Sequence, residues 1–194
     1  MEKAPTLGSQ AYSAVVANLL KQSRLMPLGR GTPDEGIAST LRSLAVETTF
    51  APRRVANKTS ARLCLAGIWL LYDHLEECHR IAQELDTRDA AYWHAIMHRR
   101  EGDFSNSKHR FRQVGEHSTF TALQAEVRNL ASNFKFENAT SFLVKQPRWD
   151  PLAFVDLCED CVKGRTPSED LCREIQHVEW QLLFDHCYRK ATGG

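Results

Sequence analysis

His94, His98 and Glu101 have the spacing of side chains that can converge on one metal ion. In a helix, with about 100° per residue, the three lie within about 60° of one another and opposite the apolar residues of the segment. The His-x3-His spacing lets two imidazoles reach a divalent metal such as zinc, and Glu101 would serve as a further ligand or as a base. A third imidazole would come from His74 or His79 on the preceding helix, so the spacing predicts a metal centre built from two helices.

The same three residues also fit an arrangement without a metal. Ala95 stands where HExxH peptidases carry the glutamate that acts as general base, so the analogy to that mechanism fails at this position. Without a metal, His94, His98 and Glu101 would form a solvated helix face held by weak histidine–carboxylate and arginine–carboxylate pairs. The spacing alone leaves both arrangements open.

Basic residues cluster around the two histidines and favour a groove for an anion. Arginine pairs with a carboxylate or phosphate through its planar fork, and the helix that begins near Ser105 would add backbone amide donors. The alternative is that each arginine pairs with a nearby acid such as Asp103. In the groove, Asn106 would supply a hydrogen bond, while Trp93 would hold the hairpin together. The residues predicted to line the groove are His94, His98, Arg99, Arg100, Glu101, Asn106 and Lys108.

The cysteines form a second group with metal-ligand spacing. Cys158 and Cys161 are a CxxC pair, and the candidates for further zinc ligands downstream are Cys172, His177, His186 and Cys187. However, the cysteines fall on the apolar stripes of their helices, and the sequence contains no second CxxC. We therefore interpret them as small core residues. GxSxG motifs and glycine-rich phosphate loops are also absent from the sequence.

Helix start signals and apolar periodicity define the elements that must position these side chains. Asp150, followed by proline, is typical of a helix N-cap. Thr32 and Thr166 are each followed by proline and then by glutamate at the capping-box position, and Thr87 and Thr119 are weaker signals. Apolar residues recur with helical spacing after these signals, whereas sustained alternation of apolar and polar residues is absent.

This pattern predicts an all-α fold of packed helical hairpins with roughly seven to nine helices. No domain boundary stands out, so we expect a single domain over residues 1–194, with residues 1–10 disordered. Trp180, Leu183 and Phe184 would make the last helix a docking element. The partner would be either the rest of the chain or a second subunit in a homo-oligomer.

The segment GDFSNSKHRFRQV resembles the second half of a tetratricopeptide (TPR) repeat. Gly102, Asp103 and Phe104 match the turn of the repeat, and Ser107 and Phe111 match its small and aromatic positions. A fainter copy lies in AGIWLLYDHLEECHRIA, where an aspartate replaces the turn glycine. The resemblance implies partly TPR-like hairpins, in which small residues let neighbouring helices approach closely.

A second resemblance is carried by the segments YWHAIMHRREGDFSNSK, RQVGEH, WDPLAFVDLCE, LCREI and EWQLLFDHCYR. Between about residue 67 and residue 188, the chain is similar to a family of uncharacterised bacterial all-α proteins. This resemblance implies a helical fold and brings with it no activity, cofactor or substrate.

The overall charge and hydropathy exclude several classes of partner. A net charge of +1 provides no field that would select nucleic acid or an anionic membrane. The longest apolar run, residues 63–72, is too short for a transmembrane helix, and the N-terminus lacks the layout of a signal peptide. We therefore expect a cytoplasmic protein with reduced thiols that binds neither membranes nor nucleic acid.

Two functions fit these patterns. The first is a non-enzymatic binding module whose His/Arg-rich groove holds a peptide or a small anionic ligand and which needs no cofactor. The second is a metal-dependent enzyme of hydrolase type, with a divalent metal such as zinc on His94, His98 and either His74 or His79. In the second function Glu101 would act as a ligand or a base.

Overall fold

The computed structural model of the chain describes residues 12–21, 24–132 and 140–194. These ranges contain eleven helices and no strand, which confirms the predicted all-α fold. Residues 1–10, for which we predicted disorder, lie outside the described residues. In chain order the helices are α1 (Ala14–Leu20), α2 (Glu35–Arg42), α3 (Val46–Thr49), α4 (Lys58–Leu71), α5 (Leu75–Gln83), α6 (Arg88–Glu101), α7 (Phe104–Val114), α8 (Phe120–Ser132), α9 (Ser141–Lys145), α10 (Pro151–Val162) and α11 (Glu169–Thr192).

The helices outnumber the predicted seven to nine because three of them are very short. Helices α1, α3 and α9 contain 7, 4 and 5 residues, respectively. An apolar pattern with helical spacing needs two turns or more before it can repeat, so the sequence gives little sign of such short helices. The predicted fold class is therefore confirmed, while the predicted number of helices is slightly too low.

Two of the predicted N-caps are confirmed, and they fix the ends of the helices that matter for the site. The side chain of Thr87 accepts a hydrogen bond from the amide of Ala90 at the start of α6. The carboxylate of Asp150 does the same for Leu152 in α10, at 2.9 Å. Each cap satisfies a backbone donor that the first turn of a helix leaves unpaired.

The caps predicted at Thr32 and Thr166 are wrong. Helix α2 begins two residues later than predicted, because Asp34 is held in an extended conformation and caps it instead. The amide of Asp34 donates to the carbonyl of Tyr72, which fixes the chain at this point. Helix α11 likewise begins after Ser168, and no side chain caps its first turn.

Helices α4 to α7 pack as two successive hairpins, with α6 between α5 and α7. The turn from α6 to α7 uses Gly102 in the left-handed conformation, with φ of 87°, and the turn from α4 to α5 uses Asp73 with φ of 64°. Ser107 donates from Oγ to the carbonyl of Ala95 at 2.8 Å where α7 crosses α6. This small residue allows α7 to approach α6 closely.

Helix α11 packs against α4, α8 and α10 and completes the core. Its side chains Trp180, Leu183 and Phe184 are buried, so the predicted docking surface is used within the chain. Trp180 donates Nε1 to the carbonyl of Gly67 at 2.9 Å, and its ring meets Trp93 at an edge. In the part of the chain that the structure describes, no helix combines the length and the apolar character needed to cross a lipid bilayer.

Candidate metal centre

Three imidazoles meet where α5 packs against α6. His79 comes from α5 and His94 and His98 come from α6, and one ring nitrogen of each lies within 4.8 Å of those of the other two. The rings of His94 and His98 stack with their centroids 4.6 Å apart, and the ring of His79 lies 4.6 Å from His94 and 5.3 Å from His98. The structure thus brings the two predicted ligands on α6, His94 and His98, together with His79, one of the two alternatives for the third imidazole.

The solvated helix face considered from the sequence is not found, because His94 and His98 are buried. Helix α6 packs against α4, α5, α7 and α10, which covers most of its surface. Burial lowers the pKa of His94 to about 3, and nearby Arg110 and the neighbouring histidines act in the same direction. Burial also lowers the pKa of His98, against the opposing effect of Glu101. Both imidazoles are therefore neutral near pH 7, which is the form that binds a metal.

One ring nitrogen of His94 has no partner within the described residues. Its Nε2 is fully covered and makes no hydrogen bond to any of them. An unpaired buried polar atom costs about 1–3 kcal/mol, so native structures contain few of them and those few call for a specific explanation. A ligand supplied from outside the chain, such as a metal ion, would accept the lone pair of this nitrogen.

Glu101 orients the site instead of lying at its centre. One carboxylate oxygen is 3.1 Å from Nδ1 of His98, and the other is 2.9 Å from Nη2 of Arg30. A carboxylate can only accept hydrogen bonds, so Nδ1 of His98 carries the proton and Nε2 keeps its lone pair. Carboxylates hold metal-binding histidines in this way in many zinc sites. The three predicted side chains of α6 do share one side of the helix, but the carboxylate is occupied by His98 and Arg30.

The geometry of the cluster suits a small divalent metal after a modest rotation of the rings. Three nitrogens at about 2.0–2.1 Å from a tetrahedral zinc ion are about 3.3 Å apart. In the structure the three imidazole nitrogens lie within 4.8 Å of one another. His79 is only partly buried and lies on the shorter helix α5, so its side chain has the most room to close this gap. Three histidines would leave the fourth coordination position free for water or a substrate.

A groove that is open to solvent lies beside His94, the only one of the three histidines that lines it. Its volume is about 590 Å³, and it runs between the α5–α6 connection and α7. The guanidinium of Arg110 lines the same groove, and its Nε is buried without a hydrogen-bond partner in the described part of the chain. The residues that line the groove are Ala82, Gln83, Glu84, Leu85, Asp86, Thr87, Arg88, Ala91, His94, Arg110 and Gln113.

His74, the other alternative for the third imidazole, does not belong to the cluster. Its Nε2 lies 3.1 Å from the carbonyl of Asp34, and its ring packs edge-on against Trp69. A carbonyl oxygen only accepts, so Nε2 of His74 carries a proton and is unavailable to a metal at this position. The structure therefore selects His79 and gives His74 a packing role between α4 and α2.

Arg99 and Arg100 do not reach the groove, contrary to the prediction that they would pair with a ligand. Both side chains are fully buried. The guanidinium of Arg99 pairs with Glu179 of α11, and that of Arg100 pairs with Asp73 and donates to the carbonyl of Leu70 at 2.8 Å. On a helical wheel both arginines lie about 100–160° away from His94 and His98, on the side of α6 that α11 and the α4–α5 turn cover.

Asn106 and Lys108 also lie outside the groove that the structure contains. The side-chain amide of Asn106 donates to Asp103 at 2.7 Å in the first turn of α7. Lys108 reaches across to Asp156 of α10, with 2.6 Å between Nζ and Oδ1. Of the seven residues predicted for the ligand groove, only His94 lines it, whereas Arg110 lines it and was not among the seven.

A second cluster with metal-ligating groups was not predicted from the sequence. Asp89 at the start of α6 meets His117 at 3.0 Å, His186 at 3.2 Å and the ammonium group of Lys190 at 2.6 Å. The lysine charge opposes a cation here, and Nδ1 of His117 is already in contact with Thr119 at 2.9 Å. The i,i+4 spacing of His186 and Lys190 indicates that both lie on one face of α11. No nearby residue in the sequence indicates that the carboxylate of Asp89 contacts that face.

The cysteines are buried free thiols, as the apolar stripes predicted. Of the downstream zinc ligands considered for Cys158 and Cys161, Cys172 lies beside Cys161, but the two histidines do not join them. His186 contacts Asp89, and Nε2 of His177 is 3.0 Å from the side-chain amide of Gln181. Within the described residues, only the His79 and Asp89 clusters bring three such groups close together.

Comparisons of the chain with models of protein families, with curated proteins and with solved structures found no match in any of the three. The function proposed for the cluster of His79, His94 and His98 therefore rests on its geometry and chemistry.

Proposed function

We propose that this chain binds a divalent transition metal ion of the zinc class through His79, His94 and His98. Borderline-soft divalent metals favour imidazole nitrogen, and the site offers three imidazoles, of which those of His94 and His98 are neutral near pH 7. In this proposal Glu101 orients His98 and is not itself a ligand. The two hairpins that hold the histidines, α4–α5 and α6–α7, are in our proposal TPR-like units whose interface carries the metal.

One observation carries this proposal: a buried ring nitrogen of His94 has no partner, and His79 and His98 each place a ring nitrogen within 4.8 Å of a ring nitrogen of His94. A structural cluster of histidines would be expected to use its ring nitrogens in hydrogen bonds to the protein. Here only His98 has a charged partner, and that partner leaves its second nitrogen free.

The open side of the site supports metal-assisted hydrolysis as the reaction class. A zinc ion held by three histidines keeps one position for water and lowers the pKa of that water to about 7. The groove of about 590 Å³ beside His94 gives a substrate access, and Arg110 would hold a carboxylate or phosphate group of that substrate. In this arrangement the chain contributes substrate binding through Arg110 and metal orientation through Glu101.

Metal titration of untagged protein tests the proposal. After removal of metals with a chelator, we expect the wild-type chain to bind one equivalent of Zn²⁺ or Co²⁺ with micromolar affinity or better, and Co²⁺ to give the visible absorption of a tetrahedral site. Replacement of His94 or His98 with glutamine should abolish this absorption. Glu101→Gln should weaken binding about 10- to 100-fold, because the partner of His98 loses the negative charge that raises the basicity of the imidazole.

His109→Gln is the matched control, since His109 is exposed on α7 and contacts only Gln113 through its ring. This variant should bind Co²⁺ like the wild type, and circular dichroism should show the same helix content in every variant. Wild-type protein that binds no metal under these conditions would refute the proposal. Binding that persists unchanged in both His94→Gln and His98→Gln would refute the assigned ligands.

A second candidate function, a binding module for small anions without a metal, is favoured by Arg110 alone. Its buried, unpartnered Nε points to a missing acceptor in the groove. With inorganic phosphate as the probe and a chelator present, this function predicts a rise in melting temperature that disappears in Arg110→Met. The rise should remain in Arg112→Met, because Arg112 is exposed and does not line the groove.

A further inference from the structure

Two cysteines on neighbouring helices are close enough to react with each other. The sulfur atoms of Cys161 on α10 and Cys172 on α11 are 3.6 Å apart. A disulfide requires about 2.05 Å, so the two atoms need to approach by about 1.5 Å, which small rotations of both side chains provide. The pair lies at the α10–α11 turn, away from the histidines of α5 and α6.

Cys161 is the member of the pair that solvent can reach. It lines a surface depression of about 600 Å³ formed by the α10–α11 turn. Cys172 is fully buried behind it and does not line the depression. A small oxidant entering from this side would therefore meet Cys161 first, with Cys172 directly behind it. The other lining residues are Gly164, Arg165, Thr166, Pro167, Glu169 and Asp170.

The surroundings of Cys161 favour its thiolate, in contrast to those of three other cysteines. A hydrogen bond from Cys172 lowers the pKa of Cys161, burial opposes this, and the backbone amide of Ser168 before α11 adds to the lowering. Burial raises the pKa of Cys64, Cys78 and Cys187, so these thiols are poor nucleophiles. Hydrogen bonds to Cys158 and Cys161 also raise the pKa of Cys172, so Cys161 is the member of the pair that meets the oxidant as a thiolate.

We propose that Cys161 is a site of oxidation by hydrogen peroxide and that Cys172 resolves the oxidised form into a reversible disulfide. The thiolate of Cys161 attacks one peroxide oxygen, an S–O bond forms as the O–O bond breaks, and the displaced oxygen leaves as water after protonation. The sulfur of Cys172 then attacks the sulfur of Cys161. An S–S bond forms, the S–O bond breaks, and hydroxide leaves with the proton of Cys172 as a second water. Two thiols are oxidised and one peroxide is reduced to two waters.

Cys158 provides an internal comparison for this chemistry. It lies three residues before Cys161 on the same helix, and it is fully buried and absent from the lining of the depression. The alternative products would be a CxxC disulfide between Cys158 and Cys161 or a disulfide between Cys158 and Cys172, whose thiols are also hydrogen-bonded. The arrangement favours Cys172 because it already contacts Cys161 and because it connects α10 with α11 across the turn.

Peptide mapping of the native protein after mild treatment with hydrogen peroxide tests the proposal. Free thiols are alkylated and the protein is digested with trypsin without reduction. Cleavage after Arg148, Lys163, Arg165 and Arg173 places Cys161 together with Cys158 on the peptide 149–163 and Cys172 on the peptide 166–173, so the variants described below identify which cysteine is linked. We expect the two peptides to be recovered as one covalent pair that a dithiol reductant separates. The oxidised protein should melt about 5 °C or more higher than the reduced protein.

Matched variants identify the reacting cysteines. Cys158→Ala should give the same linked peptides, whereas Cys161→Ala and Cys172→Ala should give none. Recovery of a Cys158–Cys161 bond, or of Cys161 oxidised to sulfinic acid without a link, would overturn the proposal, and so would unmodified thiols in the wild type. These results are independent of the metal titration, because the mapping is done in the presence of a chelator.

Discussion

At the scale of single residues, the unusual feature is the number of charged side chains inside the core. Arg99 and Glu179 are both fully buried and form an ion pair, and the hydroxyl of Tyr92 donates to the same carboxylate at 3.1 Å. Burial by itself lowers the pKa of Arg99, but the attraction of Glu179 outweighs it and raises the pKa above its usual value. The guanidinium therefore stays charged and ties α6 to α11.

Removing one partner of this pair should be far more damaging than removing both charges. Arg99→Met leaves the carboxylate of Glu179 buried without a counter-charge, and we expect the free energy of unfolding to fall by about 3–5 kcal/mol. Arg99→Met combined with Glu179→Gln should recover most of this loss, because a neutral amide can still accept from Tyr92. Urea denaturation followed by circular dichroism measures both effects.

Arg112→Met serves as the control for the loss of an arginine at an exposed position on α7. It should unfold at nearly the same urea concentration as the wild type. The interpretation fails if Arg99→Met is as stable as Arg112→Met, or if the double variant is no more stable than the single one.

At the scale of elements, the close packing of α4 against α6 and α11 depends on Gly67, which has no side chain. A Cβ atom at Gly67 would lie 2.8 Å from two ring carbons of Trp93 and 3.3 Å from Phe184. Trp93 is fully buried and lies edge-on to Trp180, so its ring has no free direction in which to move. The glycine therefore sets how closely these helices pack, and with it the position of α6.

Gly67→Ala should destabilise the protein even though alanine favours a helix. Overpacking costs about 1–3 kcal/mol, and the better helix propensity of alanine returns about 1 kcal/mol or less. We expect a net loss of about 1 kcal/mol or more in the free energy of unfolding, measured by thermal or urea denaturation. Gly29→Ala is the matched control, because a Cβ there meets no atom within 4 Å and the residue does not adopt a positive φ. Equal stability of the two variants would contradict the packing argument.

At the scale of the whole molecule, Asp89 connects three parts of the chain that are distant in sequence. It lies at the start of α6 and binds His117 before α8, together with His186 and Lys190 of α11. Burial by itself raises the pKa of Asp89, but the hydrogen bonds from these three partners outweigh it and hold the pKa well below its usual range. The ionised carboxylate therefore stabilises the assembled fold.

This shift predicts how stability depends on pH. Because the pKa of Asp89 is lower in the folded chain than in the unfolded chain, its stabilisation is complete above the unfolded value of about 3.9 and is lost as the pH falls below it. Asp89→Asn should reduce the free energy of unfolding at pH 7 by about 2 kcal/mol, since two of its partners are partly exposed. The difference from the wild type should shrink by about 1 kcal/mol between pH 5 and pH 3.

Urea denaturation at these pH values measures the two quantities. Glu116→Gln is the control, because Glu116 pairs with Arg148 on the surface, where both side chains are 80% exposed. That variant should match the wild type at every pH. A difference between Asp89→Asn and wild type that stays constant from pH 7 to pH 3 would show that the carboxylate charge does not carry the effect.

The sequence by itself determined the features that depend on neighbours within one or two helical turns. The all-α class follows from apolar periodicity, and the caps at Thr87 and Asp150 follow from local donor and acceptor geometry. The shared side of His94, His98 and Glu101 also follows from the pitch of a helix, and the contact between His98 and Glu101 bears it out.

Only the tertiary structure decided what lies opposite each of these side chains. A helical wheel gives the direction of a residue but not its neighbour, so it could not choose between His74 and His79 or show that Arg99 meets Glu179, 80 positions later in the chain. The burial of a side chain likewise depends on residues that are distant in sequence. His94 is a neutral candidate ligand because other helices cover α6, and this burial lowers the pKa of its imidazole. Long-range packing sets the solvent and charge around a side chain, and these determine its chemistry.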